Sequence, residues 1–142
     1  MPSRNAGRLA LMSLAMVSML TVCTGGGARL EGRWNVKSLD GKPMGDVSRA
    51  QEPPWVAFGG GEVTGWEGCN HLGGPYAYEE GLLRIDSEET FSTLAGCGGQ
   101  AEKFSERFAD VILSGPLVVK FADSGAVVTL SAPEGSVELS RS

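Results

Sequence analysis

The sequence predicts a mainly β fold of the α+β kind, a curled or closed antiparallel sheet of about eight strands carrying one α-helix at about residues 100–113. Three observations predict it. Short apolar runs with a period of two recur between Gly, Asp, Pro and Ser punctuation; helical spacing appears once; and 142 residues suffice for one domain with a real core.

The first strand is expected over Leu30–Leu39, where Leu30, Trp34 and Val36 share one face and Arg33 and Lys37 the other. Asp40-Gly41 turns the chain into a polar stretch ending at Pro53-Pro54. Trp55–Phe58 then forms a strand and Gly59–Gly61 a turn. Glu62–Trp66 and Tyr76–Glu79 follow, separated by the glycine-rich segment Gly68–Pro75, and Leu82–Asp86 comes after Glu80-Gly81. Within Gln100–Leu113, Phe104, Phe108, Val111 and Ile112 recur at helical spacing, with Glu102, Lys103, Glu106 and Arg107 on the other faces. Ser114-Gly115-Pro116 stops this helix. The tail is a meander: Leu117, Val119 and Phe121, then Val127–Leu130, then Val137–Leu139 after the turn at Pro133-Glu134-Gly135.

Residues 1–22 stand apart from this pattern. Arg4 and Arg8 supply a basic start, and the fourteen uncharged residues Leu9–Val22 form the apolar core of an export signal, short of the roughly 20 needed for a membrane-spanning helix. Leu20-Thr21-Val22-Cys23 resembles the lipobox of bacterial lipoproteins, which makes Cys23 the expected lipidation site. Val22 replaces the Gly, Ala or Ser usual before the cysteine, so simple cleavage and an uncleaved anchor stand as the alternatives. Residues 23–29, with Gly25-Gly26-Gly27, then serve as a flexible spacer ahead of a domain spanning 30–142. The expected location is the cell envelope, on the periplasmic or extracellular face.

Removing residues 1–22 takes two of the twelve basic residues and none of the seventeen acidic ones, leaving a net charge of −7. The basic residues are scattered singly, which argues against nucleic acid as a partner and against electrostatic binding to anionic lipid. Membrane attachment therefore rests on the lipid at Cys23 alone.

Several stretches together resemble the META domain, also called the HslJ family after heat-shock lipoprotein-like proteins. They are Leu30-Glu31-Gly32-Arg33-Trp34, then Val63-Thr64-Gly65-Trp66-Glu67-Gly68-Cys69-Asn70 with Gly74-Pro75-Tyr76, and Thr93-Leu94-Ala95-Gly96-Cys97 before the helix. The motif positions are thus Gly32, Trp34, Gly65, Gly68, Cys69, Asn70, Gly74, Tyr76, Thr93 and Cys97, in the family's order and across nearly the whole chain after the leader. His71-Leu72 and Ala95-Gly96 depart from the usual residues, in places that touch packing more than chemistry. The resemblance implies a small lipocalin-like β-barrel with a single helix, exported, often lipid-anchored, associated with envelope stress and without an established catalytic activity.

The residues around the motif have a physical reading of their own. Gly68 and Asn70 tolerate positive φ, so the segment can bend and return Cys69 to the body of the domain. If Cys23 carries lipid, Cys69 and Cys97 are the pair left for an oxidising compartment. Their bond would close a loop of about 29 residues, worth roughly 3 to 4 kcal/mol in the chain-entropy model.

Catalytic chemistry finds little support. His71 is the single histidine, two residues from Cys69, and neighbours on a tight turn rarely form a thiol–imidazole pair. A zinc or copper site from Cys69, His71 and Cys97 lacks the spacing of known ligand motifs. Gly59–Gly61 lacks the strand-to-helix context of a phosphate loop. Glu79-Glu80 and Glu88-Glu89 read as solvated carboxylates beside turns. Tyr76 and Tyr78 share a strand face and could line a pocket with Trp66, although aromatics at period two are more often core. No catalytic residue, cofactor or metal site is expected.

The expected task is that of a non-enzymatic, stress-related envelope domain binding a protein partner or a small ligand. One alternative is an inhibitor of a protease or of lysozyme, whose basic surface would suit an acidic binder. Another is a lipocalin-like carrier of an apolar ligand, suggested by Gly32-Arg33-Trp34. At about 110 folded residues, however, the barrel is expected to be filled by its own side chains.

Overall fold

The computed structural model describes residues 29–45 and 52–142. The export signal, Cys23 and the glycine spacer lie outside the described residues.

Among the described residues ten strands and the α-helix α1 run in the order β1 Gly32–Leu39, β2 Lys42–Pro43, β3 Trp55–Gly59, β4 Glu62–Trp66, β5 His71–Glu79, β6 Leu82–Ile85, β7 Phe91–Ser92, α1 Gly99–Ile112, β8 Leu117–Ala122, β9 Val127–Ala132 and β10 Gly135–Arg141. Eight of the strands pair in the antiparallel order β10-β9-β8-β6-β5-β4-β3-β1, and β1 pairs with β10 to close the ring. The result is a closed eight-stranded barrel. β2 pairs with the end of β1, and β7 lies against β5, both off the ring.

Two-residue turns set the hairpins. Asp40-Gly41, Gly60-Gly61 and Glu80-Gly81 all take positive φ at both positions, the turn geometry that matches strand twist. In β1 the expected alternation holds at Trp34 and Val36, both buried, but the strand starts at Gly32 and Leu30, read as its first residue, lies before it in a helical turn. Register then shifts between Val36 and Ser38, so the bulge at Lys37 turns the odd-numbered Leu39 inward as well.

One correction concerns Gly68–Pro75, read from sequence as a loop before a strand starting at Tyr76. The strand begins at His71, and Leu72, Gly73, Gly74 and Pro75 pair with β4. These glycines serve close approach. A Cβ on Gly73 would lie 2.7 Å from the Phe91 ring, and one on Gly74 would lie 2.8 Å from the Cα of Thr90. The crossing segment 90–92, including β7, was not legible in the sequence.

The barrel interior is filled by side chains. Trp34, Phe58, Leu83, Leu117, Leu130 and Leu139 belong to one continuous buried cluster with Phe104, Phe108, Val111 and Ile112 of α1. The helix thus lies over the end where β1 finishes. Arg107 reinforces it there, donating to the Asp40 carboxylate at 2.7 Å and to the carbonyl of Glu134. The opposite end is plugged by Leu30, whose carbonyl accepts from Trp34 Nε1 at 2.7 Å, with the Arg141 guanidinium stacked over the Trp34 ring.

Candidate functional site

Gly68, Cys69, Asn70, Thr93 and Cys97 of the motif converge at the α1 end of the barrel, where β4 turns into β5. Gly68 takes φ 85°, and Cys69 is buried beneath the turn. Asn70 does not share the left-handed conformation, contrary to the expectation that both residues bend the chain. Its side chain does the work instead: Oδ1 accepts from Ala95 N at 2.7 Å and from Thr93 Oγ1 at 3.0 Å. The Thr93 hydroxyl in turn accepts from His71 N at 3.0 Å, and Thr93 N donates to the His71 carbonyl at 2.9 Å. Cys69 and Cys97 are bonded, their Cα atoms 5.8 Å apart. Together these contacts pin the segment 93–97 to the start of β5.

Each remaining motif residue has a packing role. Gly65 lies where a Cβ would sit 3.0 Å from the Trp55 carbonyl oxygen. Tyr76 turns inward and meets Phe58 edge-on at 5.2 Å, with Tyr78 also against the core. Trp66 faces outward and packs on His71 at 4.7 Å, so it does not join the two tyrosines in a pocket. Gly32 lies beneath the Arg141 guanidinium.

His71 is exposed and packs tilted against Trp66, while both sulfurs of the conjectured metal trio are bonded to each other. Among the described residues no three His, Cys, Asp or Glu side chains gather as metal ligands. Glu79, Glu80, Glu88 and Glu89 are all exposed. Asp86 organises the loop after β6, its Oδ1 accepting from the amides of Glu88 and Glu89.

Glu67 is the residue that sequence reasoning missed. It is 2 % exposed, one of two buried polar side chains among the described residues, and the other is its partner Ser105. Ser105 Oγ donates to Oε2 at 2.6 Å, while Oε1 has no hydrogen-bond partner. Burial pushes the carboxyl up to about 7, against the opposing effect of the Ser105 hydrogen bond. No local pattern announces this. The residue stands between Trp66 and Gly68 as any turn-side acid would, and only the descent of α1 buries it.

Glu67 lies at the floor of a cleft of about 310 Å³ between α1 and the 92–96 segment. Leu94 on that segment is 96 % exposed, and Phe91 just before it is 62 % exposed. The cleft thus joins a buried acid, a disulfide-pinned wall and an apolar rim.

The META domain family matches residues 28–141. The chain belongs to the META domain family. Two solved structures share the fold. One, an NMR structure of a protein from Burkholderia xenovorans, is 16 % identical with a TM-score of 0.63, the alignment covering 100 % of this chain and 99 % of that one. The other, also an NMR structure, is 19 % identical with a TM-score of 0.62, over 78 % of this chain and 89 % of its own. No curated protein matches this META domain.

Proposed function

We propose that this META domain is a non-enzymatic binding module of the cell envelope, carried out by its export signal and held at Cys23, that takes a protein partner or small ligand at the α1 end of the barrel. The observation that carries the reading is the filled interior, which leaves recognition to the outer surface. At the α1 end, covalent and hydrogen-bonded staples hold Leu94 out in solvent, as a contact residue on a rigid scaffold would be. A role in envelope stress is part of the same proposal and rests on the family resemblance alone. The same filled interior disfavours a lipocalin-like carrier, which needs a chamber.

A photo-crosslinker at position 94 of the full chain, expressed in cells, tests this. The expected result is a discrete crosslinked species absent when the crosslinker sits at Lys120, exposed on β8. Equal patterns at both positions would refute the reading. A second reading, inhibition of a basic hydrolase such as lysozyme, is favoured by the glutamates lining the cleft. Undiminished hydrolase activity with excess protein would dismiss it.

A further inference from the structure

We infer that the cleft over Glu67 is a receptor for a single cationic group on an aliphatic stem, an arginine or lysine side chain or a polyamine, which pairs with the unpartnered Oε1 of Glu67. The inference deepens the binding-module reading and rests on it.

Three independent features point to a cation. Oε1 is a buried acceptor with no donor, and a group that reaches it satisfies an oxygen that is otherwise costly to keep from water. The cleft lining contains no lysine, arginine or histidine, so the chain supplies no counter-charge of its own. From α1, Glu102 and Glu106 face the same space. The 92–96 wall and Asn70 bring no titratable side chain. Glu102 already accepts from Gly98 N at 2.9 Å, which fixes it as a wall, while Glu106 is exposed at the rim. A neutral donor would satisfy Oε1 equally but gain nothing from these two carboxylates.

The shape of the site agrees. Its volume is at the lower end of small-ligand pockets, roughly 300 to 1,000 Å³. Leu94, Ala95 and Ala109 offer apolar surface for the methylene stem of an amphipathic side chain. Oε1 is shielded from water as the structure stands, so entry requires the exposed side chains at the rim, Leu94 and Glu106, to turn aside while the stapled backbone stays in place. The cation must also find the carboxyl ionised. With Glu67 pushed up to about 7, affinity should rise between pH 6 and pH 8.

The test is calorimetric titration of the protein purified in mild detergent from the envelope of the cells that make it. The probes are an arginine-containing hexapeptide, the same peptide with citrulline, and spermidine. Binding of the arginine peptide at pH 8 is expected, weakened about tenfold or more by citrulline, by Glu67→Gln and by acidification to pH 5.5. Ala109→Trp, which adds bulk at a position lining the cleft and leaves the carboxyl in place, should abolish it, and near-ultraviolet circular dichroism checks that both variants fold. If spermidine alone binds with these dependences, the source is a free polyamine; if the peptide binds better, it is a protein side chain. No binding of either cation at pH 8, or binding indifferent to citrulline, Glu67→Gln and Ala109→Trp, overturns the inference. A crosslink at position 94 that persists in Glu67→Gln would then leave the binding-module reading standing without it.

Discussion

The barrel wall and its α1 end are held by different physics. Around the wall, apolar side chains from eight strands fill one interior, and the strand ladders pair the backbone. At the α1 end, the stretch 91–96 is wholly exposed, so burial contributes little to fixing it. A disulfide, an asparagine used as a two-way acceptor and a threonine bridge take over. Staples of this kind fix position without covering a surface, which leaves the same segment available for contact.

If the comparison is right, damage to the wall should be the more severe. Phe108→Ala, at the junction of helix and core, is expected to cost about 3 to 5 kcal/mol, read as a lowered denaturant midpoint. Replacing Cys69 and Cys97 together by Ala should cost about 2 to 5 kcal/mol and free the 93–97 segment first, seen as faster amide exchange there than in β8–β10. Uniform loss of protection would break the distinction between the two regions.

Glu67 gives the next effect. Its carboxyl is raised from 4.5 to about 7 by burial, so between those values the folded state holds a proton that the unfolded chain has released. The neutral form is the one the fold prefers. Its stabilising contribution is therefore complete below about pH 4.5, declines as pH rises toward 7 and is lost above it, with an upper bound of about 3 kcal/mol. Glu67→Gln should flatten this part of the stability–pH curve; an unchanged slope in the variant would place the cause elsewhere.

Gly74→Ala sharpens the boundary between the regions, because the added methyl meets Thr90 on the crossing segment. A loss of about 1 to 3 kcal/mol is expected. Smallest of all, Leu94→Ser should leave the melting temperature nearly unchanged, within about 0.5 kcal/mol, while weakening whatever partner the crosslinker finds.

Much of the fold was legible. The helix boundaries, the turns at Asp40-Gly41 and Glu80-Gly81 and the inward faces of β1 as far as Val36 and of β8 follow from residues close together in the chain, where apolar period and glycine position carry the signal. The family motif was legible too, but its purpose was not. The sequence presents Gly73-Gly74 as a flexible stretch, whereas the structure uses both glycines as flat ground under Phe91 and Thr90. Asn70 looked like a bending residue and is an acceptor, because its two donors come from residues 93 and 95.

By itself, then, the chain determined its eight longer strands, its helix and their order, since these depend on periods of two and 3.6 within a few residues. Tertiary structure alone decided the closure of β1 on β10, the bulge that brings Leu39 inside, and the burial of Glu67 under Ser105. Each of these joins residues between about 40 and 100 positions apart. A local pattern cannot record such a meeting, because the environment of a side chain exists only after the chain has folded back upon it.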